Sequence, residues 1–231
     1  KTKVPPEDVA AIFVEVIQGE GGYVVPPKEF HKALYQLTRD FDILYVADEV
    51  QSGMGRTGKM FASNHFDLVP DIITVAKGIA SGLPLSATVA SEKIMNWTPG
   101  SHASTFGGNP VSCQAALTTI KLLEDGLIDN AAKQGTYIIH ELQKLERAYQ
   151  IIGEVRGLGL MLAIEIVKDK ETKEYASEER DSIIQKAFSK GLLLLSCGRS
   201  AIRFCPPLIL SKDDSDIALL ILEECIKETL N

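Results

Sequence analysis

The sequence lacks the features that mark membrane proteins and nucleic-acid-binding proteins. Its apolar runs, such as residues 158–164 and 192–195, fall far short of the roughly 20 residues that cross a bilayer. Its 24 Lys and Arg residues are scattered and are outnumbered by 31 Asp and Glu, which leaves a net charge of -7. We therefore expect no membrane span and no basic surface for a nucleic acid backbone.

Cysteine and histidine are scarce, with 4 of each among 231 residues. No two cysteines lie close together in the sequence, and no Cys or His spacing resembles a zinc site. This pattern predicts unpaired thiols in a reducing compartment, the cytoplasm, and no metal centre. The cysteines are Cys113, Cys197, Cys205 and Cys225.

The sequence does not start with Met and has no signal-peptide pattern, internal repeat or low-complexity linker. A buried-looking apolar run already begins at Ala10, so we expect a fragment of a longer protein. With 45% hydrophobic residues the chain can bury a sizeable core and is not intrinsically disordered. Its length suits one large domain or two modest ones.

The first part of the chain alternates apolar runs with a helical segment. Near-continuous apolar runs of this length are typical of strands buried on both faces of a mainly parallel sheet. The predicted strands are 10–17, 43–50, 71–77 and 85–91. Between the first two, the spacing predicts a helix over 27–40 with Phe30 and Leu37 on its apolar face. The pattern predicts an α/β domain.

The second part of the chain has a different pattern. Asn109 followed by Pro110 predicts the start of a helix that runs to about residue 124. The later predicted helices are 128–147, 177–190 and 212–230, and the later predicted strands are 155–167, 191–197 and 201–205. This grouping predicts a small α+β domain, with the boundary near Ile151 between residues 1–150 and 151–231.

Polar side chains follow three of the predicted parallel strands. Glu15 and Glu20 are near the end of the first strand, Asp48 and Gln51 are near the end of the second, and Lys77 ends the third. A single charged residue at a strand end is usually an ordinary loop residue. Three such ends together favour a site, because ligands of open α/β sheets bind beyond the carboxyl ends of the strands.

A nucleotide-binding loop is a weaker interpretation of residues 53–60. The segment GMGRTGKM nearly matches the phosphate-binding pattern G-x-x-x-x-G-K-[ST]. Its last position is Met60, which has no hydroxyl for magnesium, and a proline interrupts the segment that follows. We retain a nucleotide-binding module only as a minor alternative.

Six segments, taken in order, resemble the class III aminotransferases, which are fold-type I pyridoxal phosphate enzymes. The resemblance runs over nearly the whole chain, and several segments are similar to those of 4-aminobutyrate and ornithine aminotransferases. It implies part of the large, mainly parallel-sheet domain of a pyridoxal phosphate transferase, followed by a small α+β domain. The segments are EVIQGEGG (15–22), ADEVQSGMGRTG (47–58), TVAKG (74–78), STFGGNP (104–110), VRGLGLM (155–161) and IRFCPPL (202–208).

The resemblance implies a role for each cofactor-binding residue. Lys77 carries pyridoxal phosphate as a Schiff base and moves a proton during the reaction. Asp48 pairs with the pyridine nitrogen, and Gln51 bonds the phenolic oxygen. Val50 packs against the ring, although ordinary core packing explains it equally well. Thr105 donates to the phosphate in the active site of the other subunit, which implies a homodimer.

The resemblance also implies a substrate site. Arg203 binds the substrate carboxylate with its two-donor fork. Glu15 and Glu20 match active-site glutamates, one of which pairs with the arginine when the substrate's near end is an amine without an adjacent carboxylate. The alternative for Glu20 is a role confined to stabilising its turn.

Three functional hypotheses follow from the sequence. The leading one is transfer of an amino group from an ω-amino acid, such as 4-aminobutyrate, to 2-oxoglutarate by a ping-pong route. Amino-acid racemisation and ornithine or acetylornithine aminotransfer are the rivals within the family. A third hypothesis is that the chain alone is non-catalytic, because the family's phosphate-binding Gly/Ser loop and ring-stacking aromatic residue lie upstream of Lys1.

Overall fold

The computed structural model describes residues 4–230, and packing divides the chain into two compact units. The first unit contains the residues up to Val16 together with Pro26–Gly55 and Lys59–Gly126. The second contains Ile17–Val25, Arg56–Gly58 and the chain from Leu127 onward.

The first unit contains a four-stranded sheet and two helices. Strands β1, β2 and β3 are parallel, and β4 runs antiparallel to β3, in the order β1-β2-β3-β4. The sheet is therefore mainly parallel, as predicted. The strands are β1 (Ala11–Glu15), β2 (Leu44–Asp48), β3 (Ile72–Val75) and β4 (Ala87–Ala90), and the helices are α1 (Lys28–Asp40) and α2 (Pro110–Leu122).

Helix α1 lies where it was predicted but buries a different face. Phe30 and Leu37 are half-exposed, whereas His31 and Thr38 are buried. A histidine can be buried when both ring nitrogens have partners. The Nε2 atom of His31 lies 2.8 Å from the Val16 carbonyl oxygen, and Nδ1 lies 2.9 Å from the Tyr45 hydroxyl.

Helix α2 begins at the predicted residue. The Asn109 side chain accepts hydrogen bonds from the backbone N–H groups of Val111 and Ser112, at 2.9 and 3.3 Å. Proline at the first helical position needs no such partner, because it has no N–H. The helix ends at Leu122 and continues into a wider turn over residues 123–127.

The second unit is an antiparallel sheet with helices packed against it. Its strand order is β5-β6-β8-β7, and every neighbouring pair is antiparallel. Leu162, Ile164 and Ile202 of the sheet belong to the buried core with residues of the helices. The elements are α3 (Ile128–Ala148), β5 (Ile152–Leu158), β6 (Met161–Ile166), α4 (Ser177–Ser189), β7 (Leu195–Cys197), β8 (Ala201–Phe204) and α5 (Lys212–Leu230).

The segment 155–167, predicted as strand, is part of a hairpin of two strands. The chain turns between β5 and β6 at Gly159, whose φ is +53°. A β-carbon at Gly159 would lie 2.2 Å from the carbonyl carbon of Thr57, so this close approach requires glycine. The strand predicted over 191–197 is also shorter, because only Leu195–Cys197 pairs with β8.

Packing groups α3 with the second unit, although the predicted boundary at Ile151 assigns it to the first domain. The apolar face of α3, including Ile138 and Leu142, packs against β5 and α5. The domain boundary itself stays a prediction. Between residues 4 and 230, every helix is too short or too polar to be a membrane span.

Candidate active site

Three charged residues of the first unit lie at, or just beyond, the carboxyl ends of its parallel strands. Glu15 of β1 pairs in register with Asp48 of β2, and Asp48 pairs with Thr74 of β3. Lys77 follows β3 by two residues. Glu15, Asp48 and Lys77 are therefore at one edge of the sheet, where ligands of open α/β sheets bind.

The carboxylate of Asp48 is held in a defined orientation. Its Oδ1 atom accepts hydrogen bonds from the backbone N–H of Val50 at 3.0 Å and from the Thr74 hydroxyl at 3.4 Å. A side chain that bonds the backbone two residues on is a common way to end a strand in a turn. Both of these bonds reach Oδ1, and they fix the plane of the carboxylate.

Glu49 has a role that the sequence did not reveal. Its side chain is only 1% exposed, and its carboxylate accepts three hydrogen bonds. The donors are the Ser52 hydroxyl at 2.6 Å and the backbone N–H groups of Ala62 and Ser63 at 3.0 and 2.7 Å. The carboxylate thus fixes the loop that follows Asp48. The sequence signal that could have indicated this role is the presence of a charged residue, Glu49, inside the apolar run 43–50.

Lys77 has an unusual backbone conformation. Its φ is +47°, in the left-handed region that residues other than glycine rarely adopt. The residue begins a short 3₁₀ turn, Lys77–Ala80, and α2 packs against this turn. Its side chain is exposed on the first unit. Strained conformations of this kind concentrate at functional sites.

Thr105 lies in a turn shaped by its neighbours. The backbone N–H of Gly107 donates to the Ser104 hydroxyl at 3.1 Å, and a β-carbon at Gly107 would lie 2.9 Å from the Ser104 β-carbon. Thr105 is exposed and, in the described part of the chain, forms no hydrogen bond with Asp48 or Lys77. The fold therefore does not bring Thr105 together with these two residues through a direct bond.

The chemistry of these groups fits pyridoxal phosphate. A carboxylate suits a protonated ring nitrogen, an amine suits the cofactor's carbonyl carbon, and a hydroxyl suits its phosphate. Asp48, Lys77 and Thr105 provide these groups, and the half-buried Val50 and Gln51 lie two and three residues after Asp48. By contrast, residues 4–230 contain no cluster of His, Cys, Asp and Glu that would hold a metal ion.

The second unit contains an ion pair between Glu20 and Arg203. The Nη1 atom of Arg203 donates to Oε1 of Glu20 at 2.5 Å. The Arg203 side chain is 15% exposed and that of Glu20 is 71% exposed. Burial lowers the pKa of the Arg203 guanidinium, but its hydrogen bond to Glu20 and the charges of Tyr23, Glu20 and Cys205 together outweigh burial, and the pKa is raised. The arginine is therefore a permanent cation with an exposed, replaceable partner.

Arg203 lies on the face of the second sheet opposite the helices. One row of paired residues crosses the sheet through Arg156, Ala163, Arg203 and Leu195. Directly paired residues point to the same face, so the two arginines flank Ala163 on one side. The neighbouring Ile202 points the other way into the core.

Glu20 lies in a compact turn over residues 18–24, which we call the glycine turn. The backbone N–H of Gln18 donates to the Val24 carbonyl, and that of Gly22 donates to the Gly19 carbonyl, both at 3.1 Å. Gly22 has a φ of +123°, which favours glycine. The turn is thus a defined structure and not a flexible link.

Tyr23 of the glycine turn lies beneath Arg203. The Arg203 guanidinium carbon is 6.0 Å from the centre of the Tyr23 ring, a cation–π distance. Burial, followed by the neighbouring Cys205, raises the pKa of the Tyr23 hydroxyl. Burial also raises the pKa of the Cys197 thiol to about 11. Both groups are therefore protonated at neutral pH, and the four cysteines are free thiols, as predicted.

Comparison with known proteins identifies similar sequences and structures. The family model described as aminotransferase class-III matches residues 2–226. An alanine/serine racemase of Pyrococcus horikoshii is 45% identical over 98% of this chain and 48% of its own length. A probable 4-aminobutyrate aminotransferase of Bacillus subtilis is 40% identical over 95% of this chain and 51% of its own length. Acetylornithine aminotransferases also match.

The fold is similar to that of a solved amine transaminase. The structure, from an uncultivated Pseudomonas species in its PLP-bound form, has a TM-score of 0.91 and 34% identity. The match covers 97% of this chain and 53% of the transaminase. The chain therefore spans about half the length of the proteins it matches.

Proposed function

This chain belongs to the class III aminotransferases, which depend on pyridoxal phosphate, and we propose that the full-length protein transfers amino groups from an ω-amino acid to 2-oxoglutarate. The donor is of the 4-aminobutyrate type, and the two half reactions alternate on one enzyme. The 4-aminobutyrate aminotransferase among the matched relatives supports this substrate class. Because the chain spans about half of that relative, the activity is proposed for the whole protein.

In this proposal the first unit holds the cofactor. The Asp48 carboxylate would pair with the ring nitrogen and raise its affinity for a proton by ~1 to 3 pK units, as an adjacent opposite charge does. Val50 would contact the ring face, Gln51 would bond the phenolic oxygen, and Thr105 would donate to the phosphate. When bound, pyridoxal phosphate supplies an electron sink that stabilises negative charge on the substrate carbon.

Lys77 would hold the cofactor through Nζ. Its amine would take a proton from the substrate carbon that bears the amino group and return it in the same half reaction. Because the base is held next to this carbon, the proton transfer is effectively intramolecular. The left-handed backbone of Lys77 and its place at the sheet edge support this role.

In this proposal the Glu20–Arg203 ion pair determines which class of substrate binds. An ω-amino donor has no carboxylate next to its amine, so Glu20 neutralises the half-buried arginine while this donor reacts. Glutamate and 2-oxoglutarate do have that carboxylate, which replaces Glu20 on the two-donor guanidinium. Glu20 is exposed, so a substrate carboxylate can reach the arginine from the solvent side of the pair. Glu15 is proposed as a second acidic residue of the substrate site.

Amino-acid racemisation is the second candidate, because the relative with 45% identity is a racemase. A racemase returns the proton to the carbon from which it came and needs no oxo acid. Acetylornithine or ornithine aminotransfer is a third candidate and uses the same residues with a different donor. Chiral analysis and a panel of donors separate these outcomes.

The proposal includes a homodimer, in which Thr105 of one subunit serves the cofactor of the other. The exposure of Thr105 on the first unit is compatible with contact to another subunit. Location in the cytoplasm stays a prediction that rests on the free thiols.

The decisive experiment compares the wild-type full-length protein with Lys77→Ala. We expect wild-type protein to show visible absorbance from bound cofactor and a Lys77 peptide that carries the cofactor's mass after borohydride reduction. Lys77→Ala should lose this covalent label. The exposed Lys59, substituted in the same way, is the matched control and should retain it.

Activity is measured as glutamate formed from 2-oxoglutarate with a panel of ω-amino acids. No glutamate from any donor overturns the aminotransferase proposal. Loss of optical purity in an amino acid incubated without an oxo acid establishes the racemase instead. A cofactor label that persists in Lys77→Ala overturns the assignment of Lys77 itself.

A further inference from the structure

Arg156, which is not one of the predicted site residues, binds the glycine turn. Arg156 of β5 donates two hydrogen bonds to the Gly22 carbonyl, from Nε at 2.9 Å and from Nη2 at 2.7 Å. The Arg156 side chain is only 11% exposed. Two donors of one planar group on one acceptor fix the position of that acceptor more firmly than a single bond does.

The Arg156 guanidinium is itself held in place by acidic side chains. Nη2 pairs with Glu165 at 2.6 Å, and Nη1 pairs with the more exposed Glu154 at 3.0 Å. The other oxygen of Glu165 accepts a hydrogen bond from the fully buried Ser200 hydroxyl at 2.6 Å. The cation is therefore compensated, and a change of its rotamer would break several bonds at once.

The glycine turn is also fixed from its other side. The backbone N–H of Gly198 donates to the Glu20 carbonyl at 2.8 Å. Gly198 has a φ of +55°, and a β-carbon there would lie 3.0 Å from the Gly21 carbonyl oxygen. The main chain of Glu20 is thus set between the β7–β8 turn and Arg156.

We propose that Arg156 is a positioning residue that holds Glu20 against Arg203. The two arginines share one row of the second sheet and flank Ala163, so the sheet fixes their separation. Arg156 binds the turn that contains Glu20, and Glu20 binds Arg203. This role rests on the proposed function of the Glu20–Arg203 pair, and Arg156 itself does not touch substrate.

The consequence is a selective effect on the two half reactions. The ω-amino half reaction needs Glu20 on Arg203, whereas the glutamate half reaction needs Glu20 displaced. Without Arg156 the turn loses one of its anchors, and Glu20 competes less well for Arg203. The first half reaction then slows, and carboxylate binding to Arg203 becomes tighter.

The test uses the full-length, cofactor-loaded protein with Arg156→Gln. We expect kcat/KM for the ω-amino donor to fall about tenfold, which equals about 1.4 kcal/mol, while the glutamate half reaction changes by less than about threefold. Glutarate, a dicarboxylate without an amine, should bind severalfold tighter by calorimetry. Arg156→Lys retains a charge and a donor for the Gly22 carbonyl, so it should recover part of the loss.

Arg180 provides a matched control. Its side chain is 12% exposed, it pairs with the exposed Asp181, and it donates to the Arg199 carbonyl at 3.1 Å. Arg180→Gln removes an arginine of similar burial, with its ion pair and its bond to a backbone carbonyl, at another point of the same unit. Loss of stability alone would make both substitutions act alike and would weaken glutarate binding.

A double-mutant cycle with Glu20→Gln completes the test. If Arg156 acts through Glu20, adding Arg156→Gln to Glu20→Gln has little further effect on the half-reaction ratio. Equal slowing of both half reactions, or weaker glutarate binding, overturns the positioning role. A wild-type protein that transfers no amino group overturns the proposed function instead, and glutarate binding then decides the role of Arg156 alone.

Discussion

Glu20 and Arg203 are 183 residues apart in the chain, yet Arg203 Nη1 and Glu20 Oε1 lie 2.5 Å from each other. The arginine is mostly buried in the second unit and the glutamate is mostly exposed. An exposed partner is easily displaced, because the energy of an exposed ion pair is small and screened by salt. This ion pair therefore suits an arginine site that accepts the carboxylate of glutamate or 2-oxoglutarate and is occupied by Glu20 when an ω-amino donor binds.

Arg203→Gln should weaken the binding of 2-oxoglutarate. Loss of charge-assisted hydrogen bonds, at about 1.5–3 kcal/mol each, corresponds to an increase in KM of roughly 10- to 100-fold. Turnover at saturation should change less. Steady-state kinetics with varied 2-oxoglutarate measure the changes in KM and kcat separately. Substitution of the exposed Arg147 by Gln is the control. An unchanged KM contradicts the assignment of Arg203.

Asp48→Asn should preserve the fold and lower activity. The amide oxygen can still accept from the Val50 N–H, but the charge opposite the ring nitrogen is lost. We expect kcat to fall by roughly a hundredfold or more at saturating pyridoxal phosphate, the scale seen when a preorganised electrostatic contact is removed. Asp42→Asn, at an exposed left-handed position that asparagine tolerates, should be neutral.

Glu49→Gln should lower stability. The Ala62 and Ser63 N–H groups donate to different oxygens of the carboxylate, and an amide offers only one oxygen. One buried donor is left facing an NH₂ group, so the free energy of unfolding should fall by about 1–3 kcal/mol. Thermal unfolding measures the loss. The exposed Glu92→Gln is the matched control, and equal melting temperatures for the two variants contradict the expected role.

His31 should make stability depend on pH. Burial lowers the pKa of His31 below its ordinary value of 6.5, although the Val16 carbonyl and the charge of Glu49 act in the opposite direction. The unfolded chain therefore binds a proton at pH values where the folded chain does not, so stability rises with pH in this window. The stabilisation is present above pH 6.5 and is lost as the pH falls through the folded-state pKa.

Melting temperatures between pH 5 and pH 8 check this expectation. Because other groups also titrate, the useful quantity is the difference between wild type and His31→Gln. The rise of melting temperature with pH should be smaller in His31→Gln than in wild type. It should be the same as in wild type in His102→Gln, which alters an exposed histidine. An identical rise in both variants would rule out His31 as its source.

Local patterns predicted most elements of both units. The four strands of the first sheet, helix α1 and the Asn109 cap follow from apolar runs and capping residues that act over a few positions. The buried face of α1 was predicted wrongly, because hydrogen bonds to Val16 and Tyr45 make His31 a core residue. Such partners are distant in sequence and leave no periodic signal.

The sequence by itself determined that Asp48 and Lys77 lie at strand ends, and the family resemblance suggested their cofactor roles. Lys77 and Asp48 follow apolar strands, and strand order along a βαβ unit brings such ends to one edge. The resemblance alone named Glu20 and Arg203 as partners.

Only the tertiary structure decided how these residues are held. Glu49 fixes the loop after Asp48, and Arg156 fixes the glycine turn. Each of these two roles depends on which backbone groups lie within hydrogen-bond distance of a buried charged side chain. For Arg156, that meeting is set by the register of β5 against β6 and of β6 against β8, in which Arg156 and Arg203 flank Ala163. Strand register pairs residues that are far apart in the chain, so it is known only from the folded sheet.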